Sequence, residues 1–274
     1  MKTLYVSDLD GTLLNSEDCL SAYTIDTINR LTHSGMCFSY ATARSHSSAS
    51  IVTKGLTTDI PVIVYNGAFI LNANTGDVLS SLYFSQSEKE SVAYILNDSS
   101  IFPLVYSYVD GKERVSWLSG KENDGMNRYL DLRKGDRRLR CVSNPASLYD
   151  GNAFYFTCIG TREELLNIYE QFRNLEGYTC ILQQELYREE YWCEIMPRKA
   201  TKGNAINQLK NLLQCDKVIS FGDAINDIPM FLISDESYAV GNAVKELKDI
   251  ATMVIGSNDE DGVAHWLEKN FLAE

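Results

Sequence analysis

Residues Asp8-Leu9-Asp10-Gly11-Thr12-Leu13 follow directly on the apolar run Leu4-Tyr5-Val6, and this junction constrains the fold more than any other stretch of the chain. A β-branched and aromatic run closed by a Gly/Thr turn predicts a buried strand feeding a loop. Side chains alternate along a strand, so Asp8 and Asp10 leave the sheet on the same side. Two unit charges about 4 Å apart, at an effective dielectric of about 20, repel by roughly 4 kcal/mol. Such a pair calls for a cation, a shared proton, or both. Ordinary turns also use Asp and Gly. A second acidic cluster, Gly222-Asp223-Ala224-Ile225-Asn226-Asp227, again follows an apolar run, Val218-Ile219-Ser220-Phe221. Two strand ends that deliver carboxylates fit an open α/β sheet, whose sites lie at the carboxyl ends of its strands.

The rhythm of the chain predicts the same class. Ile25, Ile28 and Leu31 stand at helical spacing within 21–34, with Ser21 as cap and Gly35 as stop. Strands are expected over 36–41 and, after Pro61, over 62–65, with a helix near 47–54 between them. Strand–helix alternation implies a parallel, right-handed, doubly wound sheet. Near Leu79 the rhythm changes. Ser87-Glu88-Lys89-Glu90 and Thr161-Arg162-Glu163-Glu164 have capping-box form and open helices over 87–97 and 161–175. Strand pairs follow each, 103–109 with 112–117 and 178–185 with 191–197, turning at Asp110-Gly111 and Arg188-Glu189. Helix then two strands, twice over, predicts an α+β insert with an antiparallel sheet. Residues 123–148 read as a helix plus an exposed excursion. From Thr201 the first rhythm returns: helices at 202–213, from Ile225, at 244–250 and at 260–269, with strands at 217–221 and 238–240. The expected organisation is a discontinuous core, 1–82 plus 190–274, and an inserted domain, 83–189.

At 274 residues the chain has room for about two domains. It holds no apolar run of about 18 residues, so no membrane span is expected, and no secretory leader is read at its start. Seven scattered cysteines without a C-x-x-C read as reduced thiols of a cytoplasmic protein. The three histidines have no metal-ligand spacing, which argues against zinc. A net charge of −12 excludes nucleic acid as a partner, because its backbone selects Lys/Arg stripes.

D-L-D-G-T-L-L at 8–14, A-T-A-R at 41–44, K-G at 202–203 and G-D-A-I-N-D at 222–227 resemble the four motifs of the haloacid dehalogenase superfamily. More narrowly, they resemble its Cof-like capped phosphatases, whose cap is inserted between the second and third motifs. The motifs span most of the chain, and Gly262-Val263-Ala264 matches the family's usual ending.

The resemblance implies Asp8 as nucleophile, giving an aspartyl-phosphate, and Asp10 as the acid that protonates the leaving oxygen and then accepts a proton from water. Burial of Asp10 beside another carboxylate is expected to favour its protonated form. Asp8 and Asp223 supply oxygen ligands for Mg²⁺, and Asp10 adds its backbone carbonyl. Asp227 orders a metal water or Lys202 from behind. Thr42 donates its hydroxyl to phosphate, joined by the backbone N–H groups of Leu9 and Ala43, where many relatives carry Gly at the latter. Lys202, at a predicted helix start, is preferred to Lys199 as the phosphate-side cation because the family's Lys directly precedes a Gly. Asn226 resembles a phosphate-binding residue of Cof-like relatives. Arg44 is read either as a substrate contact or as a structural ion pair, and Asn66 as a turn residue near the site. The aromatics Tyr106, Tyr108, Trp117, Tyr187, Tyr191 and Trp192 read first as sheet packing.

The expected activity is Mg²⁺-dependent hydrolysis of a small phosphorylated metabolite, a sugar phosphate first, with the cap closing to exclude bulk water. A phosphomutase of the same superfamily uses the same Asp8 and Asp10 and is the alternative. A metabolite-binding protein that kept the scaffold is a third, non-enzymatic reading.

Overall fold

Thr3–Ser7 (β1) forms the strand expected ahead of the first acidic turn, with its last four residues buried. Ala22–His33 (α1) starts at Ser21, whose hydroxyl accepts from the Thr24 N–H at 2.9 Å, and buries Ile28 and Leu31. Cys37–Tyr40 (β2) and His46–Val52 (α2) follow. Val62–Val64 (β3) meets the parallel sheet only through an Ala41–Ile63 bridge. It otherwise heads an antiparallel sheet with Phe69–Leu71 (β4) and Val78–Ser81 (β5), two strands too short to announce themselves by alternation. The computed structural model describes residues 1–57, 60–184 and 189–271.

A second unit spans Leu82–Lys199. Its elements are Gln86–Asp98 (α3), Leu104–Val109 (β6), Lys112–Leu118 (β7), Asp124–Asp131 (α4), Leu139–Val142 (β8), Asn152–Gly160 (β9), Arg162–Arg173 (α5), Tyr178–Gln184 (β10) and Tyr191–Pro197 (β11). They build a six-stranded sheet in the order β10-β11-β9-β6-β7-β8, antiparallel except for β7 with β8. Phe84 ahead of α3, Val92 and Leu96 on α3, and Leu165, Ile168 and Phe172 on α5 share one core with Val105, Phe156, Cys193 and Ile195 of the sheet. Fully burying one such ring stabilises by about 1.5–3 kcal/mol.

Three expectations shift here. The capping box of α3 runs from Ser85 to Glu88, because the Ser85 hydroxyl accepts the Glu88 N–H and Glu88 reaches back to the Ser85 N–H. The excursion over 123–148 contains an edge strand, β8, and the nine-residue β9 sits inside the sheet although no strand was read there. Finally, β11 pairs with both β10 and β9, so the chain returns to the first unit at Ala200 and not at 190, and it leaves that unit after Ser81. The turn at Arg188-Glu189 and residue Tyr187 were expected in a stretch whose residues 185–188 lie outside the described residues. The other aromatics read as sheet packing make ring or hydrogen-bond contacts inside the second unit: Tyr106 to Tyr155 and to Tyr129 of α4, Tyr108 to Phe154, Trp117 to Glu122 after β7, Tyr191 to Gln184 and Trp192 to Tyr129.

The first unit resumes with Lys202–Leu213 (α6), Lys217–Gly222 (β12), Ile228–Phe231 (α7), Glu236–Ala239 (β13), Lys245–Lys248 (α8), Met253–Val254 (β14) and Gly262–Asn270 (α9). Its main sheet is wholly parallel, in the order β14-β13-β12-β1-β2. From β1 the chain moves outward to β2; from β12 it moves outward the other way. The β1/β12 boundary is therefore the switch point at which such sheets open a crevice. Among the described residues no helix is long and apolar enough to cross a membrane.

Candidate active site

The parallel register pairs Ser7 with Phe221, and the Asp8 N–H donates to the Phe221 carbonyl at 2.9 Å. That bond brings the two acidic loops side by side. Asp8, 4 % exposed, accepts from Lys202 Nζ at 2.6 Å through one oxygen, and its other oxygen accepts from no described group. Lys202, wholly buried at the start of α6, also donates to Asp227 at 2.6 Å. The Gly after it is required by packing: a β-carbon on Gly203 would stand 2.2 Å from the Pro229 carbonyl oxygen. Asp227 spends its second oxygen on the N–H groups of Asp223 and Ala224, at 2.9 and 3.1 Å. Asp223 accepts the Thr12 hydroxyl at 2.9 Å. Gly11, at φ +69°, lets Asp223 come that near, since a β-carbon there would lie 2.5 Å from its Oδ2.

Asp8, Asp223 and Asp227 bring carboxylate oxygens within 4.8 Å of one another, all buried. The ammonium of Lys202 bonds two of these three carboxylates, Asp8 and Asp227. Burial first, and then the neighbouring Asp227, pushes Asp8 well above the ordinary carboxylate range and Asp223 up to about 7. Burial lowers Lys202, but Asp227 and Asp8 more than offset it and hold the ammonium charged. A buried, electron-rich, oxygen-only donor set with surplus negative charge fits a hard divalent cation such as Mg²⁺. Asp8 and Asp223 have oxygens to offer it, whereas both oxygens of Asp227 are already engaged.

Asp10 departs from expectation. Its side chain is 30 % exposed and faces Arg44, whose Nε lies 2.9 and 3.0 Å from the two carboxylate oxygens while Nη2 closes a second contact. Arg44 also reaches Asp18 at 3.1 Å, so it is an ion-pair residue in this structure. The burial expected of Asp10 falls on Asp8 and Asp223 instead. Thr42, fully buried, accepts the Arg44 N–H at 3.0 Å, which leaves its own proton to donate. The backbone N–H groups of Leu9 and Ala43 donate to no described residue. Asn226 donates to Asn66 at 3.1 Å and keeps a buried Oδ1 without a partner among the described residues, a mark of a group the site still has room to bind. Lys199, the rival of Lys202, is exposed. Thr12 was not nominated from sequence; its place one residue after the D-x-D-G turn was the available signal.

The sequence profile described as haloacid dehalogenase-like hydrolase matches residues 5–267. The chain belongs to this family of hydrolases. Among curated relatives it is 24 % identical to 5-amino-6-(5-phospho-D-ribitylamino)uracil phosphatase of Bacillus subtilis, over 96 % of both chains. It is 26 % identical to another Bacillus subtilis protein named as a phosphatase, over 97 % of this chain and 98 % of that one. A solved haloacid dehalogenase-like hydrolase from B. subtilis shares the fold with a TM-score of 0.80 at 22 % identity, covering 99 % of this chain and 100 % of the other. Membership of the haloacid dehalogenase-like hydrolases is what the four motifs implied, and the inserted second unit is the α+β addition expected on the parallel core.

Proposed function

We propose that this member of the haloacid dehalogenase-like hydrolases is a Mg²⁺-dependent phosphatase of small, soluble phosphate monoesters, sugar or polyol phosphates first, working through an aspartyl-phosphate on Asp8. The observation that carries the reading is Asp8 itself. It is a buried carboxylate at the β1 end, with one oxygen fixed by Lys202 and the other unengaged, beside Asp223. The phosphatase names of the relatives, one of them acting on a ribityl phosphate, support the same class.

Phosphoryl transfer is chiefly positioning and charge neutralisation. Asp8 attacks phosphorus while Lys202 fixes its orientation and offsets the charge. The Thr42 hydroxyl and the N–H groups of Leu9 and Ala43 are donors for the phosphate oxygens, and the Asn226 amide adds a polar wall. Asp10 delivers the proton to the leaving oxygen and takes one from the water that releases phosphate from Asp8. Arg44 pairs with Asp10 in its ionised form, so Asp10 has to leave that pair and take up a proton from solvent before it can protonate the leaving oxygen. Asp8, Asp223 and the Asp10 carbonyl would hold Mg²⁺, which supplies the remaining neutralisation of the dianion. Asp227 keeps Lys202 and the Asp223 loop in place.

The test is hydrolysis of a monoester panel at neutral pH by the intact chain and by Asp8→Asn. The variant is expected to lose at least about 10³-fold in kcat with its fold retained. Chelation should silence the wild type, and Mg²⁺ should restore it. Turnover by Asp8→Asn near the wild-type rate would remove the nucleophile from the scheme.

A further inference from the structure

One turn touches both acidic loops. Residues 240–244, after β13, hold the Asp223 carbonyl through the Val244 N–H at 2.8 Å. They also hold the Gly11 carbonyl through Asn242 Nδ2 at 2.7 Å. Asn242 is oriented by its other end, since its Oδ1 accepts the Asn258 N–H at 3.1 Å. Both partners are backbone groups of fixed polarity, so only an amide satisfies the two sides. Asn258, itself buried, extends the brace by donating to the Leu14 carbonyl at 3.0 Å. Farther from the site, Asp259 accepts from the N–H and hydroxyl of Ser16 at 2.8 and 2.7 Å.

We propose that Asn242 is a positioning residue for the metal-binding carboxylates. By fixing the Gly11–Thr12 peptide it aims the Thr12 hydroxyl at Asp223, and together with Val244 it sets the spacing of the Asp8 and Asp223 loops. This inference rests on the metal-dependent reading above. The Asn242 side chain faces solvent in part, and an exposed hydrogen bond contributes only about 1 kcal/mol to stability. Its consequence is therefore geometric: Thr12 is the outer partner of the Asp223 carboxylate, Asn242 stands one step behind it, and misplacing such a partner weakens metal affinity by about 10–100-fold.

The experiment titrates the intact protein, without substrate, with Mn²⁺ and reads the free ion by electron paramagnetic resonance. Asn242→Asp keeps the shape and the acceptor but sets a carboxylate against the Gly11 carbonyl. It should weaken Mn²⁺ binding about tenfold or more. Asn242→Ala, which removes the donor without adding charge, should move the same way by less. Asp259→Asn loosens the outer brace alone and should lower the melting temperature while leaving Mn²⁺ affinity within about twofold. Mn²⁺ affinity of both Asn242 variants within twofold of the wild type, or an equal loss in Asp259→Asn, overturns the assignment. A wild-type chain that takes up Mn²⁺ and hydrolyses monoesters while both variants bind normally sinks this inference alone. A wild type that takes up no Mn²⁺ sinks the metal-dependent reading and this one together.

Discussion

The two units bury opposite kinds of material. In the second, Phe84, Val92 of α3 and Leu165 and Phe172 of α5 share one apolar core with the mostly antiparallel sheet, and burial there is gain. In the first, the carboxyl ends of β1 and β12 close over Asp8, Lys202, Asp223 and Asp227, none more than 6 % exposed. Removing charges from water costs several kcal/mol per ion, and well-packed apolar groups in their place are often as stable or more so. The second core is thus explained by folding alone. The first is not; its cluster costs stability and is explained by what it binds.

Lys202→Met breaks that comparison most sharply. It leaves Asp8 and Asp227 buried without their ammonium, and the expected loss is about 3–5 kcal/mol near neutral pH. Turnover should fall with it by at least about 10³-fold. Phe172→Ala, with a similar expected loss of about 3–5 kcal/mol in the second unit, should leave Mn²⁺ uptake at the acidic cluster unchanged. Denaturant melts paired with Mn²⁺ titration separate the two. Equal effects of both variants on metal uptake would dissolve the distinction between the units.

The cluster also predicts the direction in which pH acts. Asp223 is raised to about 7 from its ordinary 3.8, by burial and then by Asp227, and Asp8 is raised as well. An acid whose folded pKa exceeds its unfolded value binds more protons folded than unfolded, so stability falls as pH climbs between the two. For Asp223 the window runs from about 4 to about 7, and three units correspond to about 4 kcal/mol at most. Chelated protein should therefore melt higher at pH 5 than at pH 7.5. Asp223→Asn should flatten that slope, and a divalent cation should restore stability at pH 7.5. A chelated wild type that is more stable at pH 7.5, with the same slope in Asp223→Asn, would show that the carboxylates are not under strain.

The acidic loops were legible in the sequence because their chemistry is local: a strand, a tight turn and two carboxylates lie within a dozen residues each. The gathering of Asp8, Lys202, Asp223 and Asp227 is expected from the resemblance of the motifs, and a strand order that sets β1 beside β12 brings the two acidic loops together. What escaped depends on contacts between distant segments. The sequence predicts Asp10 buried beside a carboxylate, whereas Arg44, from the loop after β2, faces it. Asn242 carries no signal of its own, since its partners Gly11 and Asn258 are set by the fold. In the second unit β9 was missed because Ala153–Ile159 is one unbroken buried run, without the alternation that marks a half-buried strand. The edge strand β8 was missed for the reverse reason. Arg138, just before it, and Arg140 make its start polar, and the arginines are taken up by Asp136, Glu113 and Asp150.

The smallest expected effect tests the finest of these differences. The capping box of α3 is expected from sequence at Ser87, three residues before Glu90, although Ser85 stands at the same spacing before Glu88. The structure selects Ser85, whose N–H and hydroxyl both contact Glu88 Oε2 at 2.7 Å, while the Ser87 hydroxyl meets only that of Ser85, at 3.3 Å. The reason is the strand-like residue before it. Phe84 docks in the core and donates its N–H to the Ala153 carbonyl, so the helix has to begin at once after an extended residue. Ser85→Ala should cost about 1 kcal/mol. Ser87→Ala, already inside the helix, should stay within about 0.5 kcal/mol of wild type. Urea melts of the second unit's transition read the difference, and a larger loss from Ser87→Ala would move the helix start two residues on and unseat Phe84 as its anchor.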